Sequence, residues 1–174
     1  MEALVVGTAV APVAAPVVGL AHEAHIPGTP GDYSEQGLEI VTQLVERAVS
    51  LAVDLPALVR GKTVLVKPNL VRPSSLNPFG IVTDERVILA LVRLLKDAGA
   101  REIWLGDNPG YGLSLATSLA QTMALRQRLE AHGVRLRFFD EEEKVAVPNP
   151  GATIFDPVPL PRAVLDAECY INLP

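Results

Sequence analysis

Lysine, asparagine and aspartate recur at the ends of otherwise apolar runs in this 174-residue chain. VLVKPNLV (64–71) delivers Lys67, Pro68 and Asn69, EIWLGDNPG (102–110) delivers Gly106, Asp107, Asn108 and Gly110, and CYINLP (169–174) delivers Asn172. An ammonium group at the rim of an apolar sheet needs a negative partner to offset its desolvation. Two are on offer for Lys67: Asp107 from a neighbouring run, or an anionic ligand. The glycines of GDNPGYG (106–112) let backbone amides approach such a ligand, and the helix that follows presents unpaired N–H groups to it. The competing reading of that loop is a tight turn in which Asp107 caps. Asp107, with Asn69 and Asn172, also offers the hard oxygen donors that magnesium takes. Thr83, in VTDERV, caps a helix start and faces the same rim. His22 and His25 of HEAH sit three apart rather than at the zinc-protease spacing, so they read as solvated loop histidines. Glu141, Glu142 and Glu143 read as a solvated acidic turn.

Collecting those residues into one place requires a particular fold. Five apolar runs of strand length occur at Val17–Ala21, Thr63–Lys67, Glu102–Gly106, Val134–Phe139 and Cys169–Leu173, without the polar alternation of a half-solvated strand. Helical spacing fills the gaps: Ser34 to about Asp54 with Ser34 as cap, Thr83 to Gly99, about Leu113 to His132, and a short helix near Arg162–Ala167. The proline-rich 141–161 reads as irregular surface chain. Alternating strands and helices predict a three-layer α/β fold, Rossmann-like, with a mostly parallel sheet of about five strands and helices on both faces. In such a sheet every strand's carboxyl end lies along one edge, where ligands bind. That edge gathers Lys67, Asn69, Thr83, Gly106, Asp107, Asn108, Gly110 and Asn172.

Bulk properties narrow the function classes. A net charge of -5, with 15 Lys and Arg scattered along the chain, gives no footprint for nucleic acid. The single cysteine rules out an intrachain disulfide or an iron–sulfur cluster held by this chain alone, and fits a reducing cytoplasm. The N-terminal ALVVGTAVAPVAAPVVGLA has the length of a membrane span, but its glycines and prolines, and the lack of Lys or Arg before Arg47, favour an irregular leader over residues 1–16 followed by a buried strand. Length implies a single α/β domain over 1–174, and the apolar ending at YINLP is consistent with a fragment of a longer protein.

Three blocks carry a resemblance: GKTVLVKPNLV (61–71), VTDERVILALVRLLKDAGAREIWLGDNPG (82–110) and DAECYINLP (166–174). In order and spacing they resemble the bacterial and archaeal family called domain of unknown function number 362. The resemblance implies an α/β protein, sometimes fused to a ferredoxin-type domain with four-iron–four-sulfur clusters, and recurrent polar positions at Lys67, Pro68, Asn69, Thr83, Asp107 and Asn172. It also implies a basic stretch after INLP, where this chain stops at Pro174. The leading expectation is therefore binding of an anionic small molecule or metal-bound ligand at the carboxyl edge, with Asp107 as the metal-ligand candidate. The alternative is a non-catalytic scaffold that docks an iron–sulfur partner or a missing C-terminal segment. Neither a cofactor nor a reaction is specified by these residues.

Overall fold

A computed structural model of the chain describes residues 17–23, 34–70, 82–109, 116 and 123–174. Its elements are α1 (Glu35–Ala52), α2 (Leu55–Val59), β1 (Thr63–Pro68), α3 (Glu85–Asp97), β2 (Glu102–Asp107), α4 (Met123–Ala131), β3 (Arg135–Phe138), β4 (Lys144–Val147), β5 (Val158–Pro161), α5 (Arg162–Asp166) and β6 (Cys169–Leu173).

Four strands form one parallel sheet in the order β3-β2-β1-β6. Alternation of side chains sends Val64 and Val66 of β1, with Ile103 and Leu105 of β2, into the larger core, where they meet Leu38, Val59, Ile88, Leu95, Leu125 and Leu129 from α1 to α4. Leu65 points the other way and packs with Phe139 and Ala163 of α5, against half-buried Trp104. Helices thus lie on both faces, the larger set on one of them.

Local chemistry sets the boundaries. Ser34 Oγ accepts the Gly37 N–H to cap α1. Gly99 (φ +85°) follows α3 and Gly133 (φ +72°) follows α4, a left-handed conformation that glycine enters without steric cost. At the amino edge, Arg101 donates to the Gly61 carbonyl, to Thr63 Oγ1 and to Glu168. The Thr63 N–H, first, and the Arg101 guanidinium hold the Glu168 carboxyl below the usual glutamate range.

Two expectations need correction. Val17–Ala21 is not a fifth strand: residues 17–23 are irregular, with Val18 and Leu20 exposed, and a Cβ on Gly19 would stand 2.0 Å from the Ala48 carbonyl oxygen of α1. Apolarity matched a strand there, but a strand also needs a sheet edge to bond to, and this segment lies against a helix. Conversely, part of 141–161 is regular: β4 and β5 form an antiparallel two-stranded ribbon. Its prolines, Pro159 and Pro161, lie on β5, and a ribbon has outward-facing positions where no N–H is needed. No helix among the described residues is long and apolar enough to cross a membrane.

Candidate functional site at the carboxyl edge

From β1 the chain runs outward through α3 to β2 and through α4 to β3, whereas β6 lies on the other side of β1. The two connections place helices on opposite faces, because α3 and α4 join the larger core and α5 the smaller one. The strand order therefore reverses between β1 and β6, the kind of switch point at which open α/β sheets form a ligand crevice. Lys67 and Asn172 are register partners across that point, and Pro68 pairs with Leu173.

Thr83 closes the base of the crevice. Its Oγ1 accepts the Asn69 N–H at 2.8 Å and donates to the Leu173 carbonyl at 2.8 Å, while its own N–H donates to the Asn69 carbonyl at 2.9 Å. One buried hydroxyl joins the exits of β1 and β6 to the start of α3. The sequence reading gave Thr83 the capping role. That role belongs to Asp84, whose Oδ1 accepts the Arg86 N–H at 2.9 Å and whose carboxylate also holds the buried Arg86 guanidinium. Being relieved of the cap leaves Thr83 free to tie the strands.

Lys67 finds Asp107. Its Nζ lies 2.8 Å from Asp107 Oδ1 and donates to the Pro68 carbonyl at 3.3 Å. The Asp107 side chain is 1% exposed, and that of Lys67 33%. Asp107 Oδ2 accepts the Leu70 N–H at 2.7 Å. Oδ1 is close enough to the ammonium for strong attraction, yet receives no well-directed hydrogen bond. The contact is thus Coulombic more than directional, and the ammonium keeps donor capacity on its exposed side.

The other expected residues fall into place unevenly. Asn172 is exposed beside Lys67, Asn108 is exposed past the end of β2, and Asn69 is half-buried beneath Thr83. Gly106 lies within β2 rather than in a loop. Gly110 lies outside the described residues, as does His25; His22 is exposed. Asp107 and Asn172 stand on the two strands that flank β1. Both Asp107 oxygens already face a donor, and no group of three or more His, Cys, Asp or Glu among the described residues is placed to hold a metal.

Some residues at or near this edge escaped the sequence reading. Glu142 is not part of a solvated turn: 14% exposed, it pairs with Arg137 and accepts the Ala163 N–H at 2.9 Å, fastening β3 to α5. Phe139 stacks against Gly106; a glycine inside a strand, which marks close approach, was the available signal. Glu85, at the first turn of α3, has its carboxyl raised above the usual range by burial, opposed by the Arg128 charge. A raised folded-state value means that the protonated form is the better accommodated one, so this group's stabilising contribution is present at low pH and lost as pH rises through the folded value. Glu85→Gln is accordingly expected to raise Tm at neutral pH, with the difference from the parent vanishing once pH falls below the ordinary glutamate value. Paired thermal melts from pH 3 to 8 would check it, and a constant difference across that window would refute it.

Comparison with known proteins places this geometry. The model of a family described as Domain of unknown function (DUF362) matches residues 64–174, from β1 to the end of β6. No curated protein and no solved structure matches the chain.

Proposed function

The chain belongs to the DUF362 family, and from that premise we propose that the crevice between the exits of β1 and β6 binds a small anionic molecule, a carboxylate or a phosphate. The observation that carries the reading is Lys67: an ammonium oriented by a buried aspartate at the switch point, one-third exposed, with an exposed amide in register beside it. Asp107 fixes where the charge stands, since a lysine left alone would swing into solvent. Asn172 offers both a donor and an acceptor to the same ligand. Asn108, exposed past the end of β2, adds a neutral donor on that side. Thr83 and Asn69 shape the floor without competing for charge, because the Thr83 hydroxyl is already committed in both directions.

Thermal stability of the full chain against phosphate, citrate and nucleotides, with chloride matched for ionic strength, tests the reading. An anion at a hundred times its Kd adds about 2.7 kcal/mol, or roughly 5–10 °C in Tm for a chain of this size. Asn172→Ala removes an exposed side chain and is expected to leave the unliganded Tm within about 2 °C while cutting the anion response sharply. If no anion outperforms chloride, or if Asn172→Ala responds like the parent, the crevice is not the site.

A further inference from the structure

The sheet face that carries Leu65 is covered unevenly. On β6, Cys169, Ile171 and Leu173 pack against the larger core, so alternation turns Tyr170 and Asn172 to the opposite face, the side of Leu65, Phe139 and Ala163. Leu65 is fully buried there, whereas Tyr170, its register partner across the β1–β6 pair, is 46% exposed. The cover over Leu65 therefore does not extend fully over β6.

One exposed tyrosine is ordinary by itself. Tyr170 is distinguished by its neighbours. Asn172 stands two residues on, about 7 Å along the same row, and pairs in register with Lys67, whose ammonium Asp107 holds in place. The other partly open ring on this face, Trp104, is already engaged: the Arg137 guanidinium lies 4.7 Å from its centroid, and its indole N–H donates to Glu102 at 2.9 Å. Phe139 is buried. Tyr170 thus places an open aromatic surface beside an oriented cation and an exposed amide, and small-molecule sites combine just these, apolar surface with a few placed polar groups.

Resting on the anion-binding reading of the crevice, we propose that its ligand is an aromatic acid, a planar ring joined by a short linker to the carboxylate or phosphate. The anionic head meets Lys67 and Asn172, and the ring stacks on Tyr170. Offset contact between rings adds to the plain burial of apolar area, so an aromatic ring is held more tightly than a saturated one of similar size. The step of about 7 Å along the strand sets the linker at roughly two carbon atoms.

Amide chemical shifts of the full chain, followed during titration with 3-phenylpropionate, 3-cyclohexylpropionate and propionate, separate head from ring. Phenethyl phosphate against ethyl phosphate repeats the comparison with the other head, and a ring effect in either pair supports the proposal. The expected result is saturable perturbation at Lys67, Asn69 and residues 169–173, with the aromatic acid about tenfold tighter than its ringless counterpart, a factor equivalent to about 1.4 kcal/mol. The cyclohexyl acid should fall between them. Tyr170→Leu should bring the phenyl and cyclohexyl acids to equal affinity, and Tyr170→Phe should keep them apart. Equal affinity of those two acids for the parent chain, a phenyl preference that survives Tyr170→Leu, or ring-dependent shifts away from β6 would each overturn the proposal. The parent-chain comparison decides the matter even if Tyr170→Leu folds poorly. Silence from every acid, ringless ones included, removes the anion site and the aromatic preference together. Binding of the ringless acids at the Lys67 edge with no gain from the ring removes the preference alone.

Discussion

Lys67→Met is expected to lower the unfolding free energy by about 3 kcal/mol or more, and Asp107→Asn by roughly half as much. The asymmetry follows from where the two charges lie. Removing the ammonium leaves a carboxylate that is 1% exposed, with the Leu70 N–H as its remaining close donor. Stranding a buried charge in this way costs about 3–5 kcal/mol. Asp107→Asn keeps the shape and still offers Leu70 an oxygen. It strands a lysine that is one-third exposed and whose flexible stem can carry the charge to water. In the double variant Lys67→Met/Asp107→Asn no charge is left without a counterpart, so its cost should fall below the sum of the two single costs. Urea denaturation with unchanged m-values provides the measurement. A greater loss for Asp107→Asn than for Lys67→Met would mean that the carboxylate serves mainly to hold Leu70, and Lys67 would lose its standing as an oriented cation.

Much of this arrangement was legible because the physics that sets it is local. TVLVK and EIWLG declare buried strands by unbroken apolarity, Ser34 announces α1, and glycine at 99 and 133 stops the two helices after which the chain turns left-handed. Parallel order then follows from alternation, which is why Lys67 and Asp107 could be named as partners before any coordinates. What local reasoning missed depends on who stands opposite. Val17–Ala21 has a strand's composition but lies on α1. Pro159 and Pro161 suggested irregular chain, whereas a two-stranded ribbon accommodates both. Thr83 and Asp84 are both good caps, and nothing in VTDERV says that the aspartate takes the helix while the threonine reaches residue 173, ninety positions away. Glu142 looked like one of three solvated acids until β3 and α5 closed around it.

Gly106 is the sharpest case, and its substitution carries the second large effect: Gly106→Ala is expected to destabilise the fold by about 2–3 kcal/mol. From the sequence this glycine belonged to a loop that lets amides approach an anion. In the structure it is a β2 residue paired with Arg137, and an added Cβ would meet Phe139 Cε1 at 2.4 Å and the Arg137 carbonyl oxygen at 2.8 Å. The ring can tilt, at a cost, because Phe139 is buried. The carbonyl cannot, because it belongs to the neighbouring strand. Strain should therefore be relieved only in part by a smaller side chain at 139: Gly106→Ala/Phe139→Leu is expected to be more stable than the two single losses added together, with a residue of strain left at Arg137. The same variants separate the two roles of the glycine. If Gly106 makes room for Phe139, Gly106→Ala lowers Tm and the surviving folded protein still responds to anions through Lys67 and Asn172. If it instead makes room for a ligand's approach, Tm holds and the anion response disappears. The overlap that an added Cβ would make with the ring predicts the first outcome, because Phe139 already fills that space.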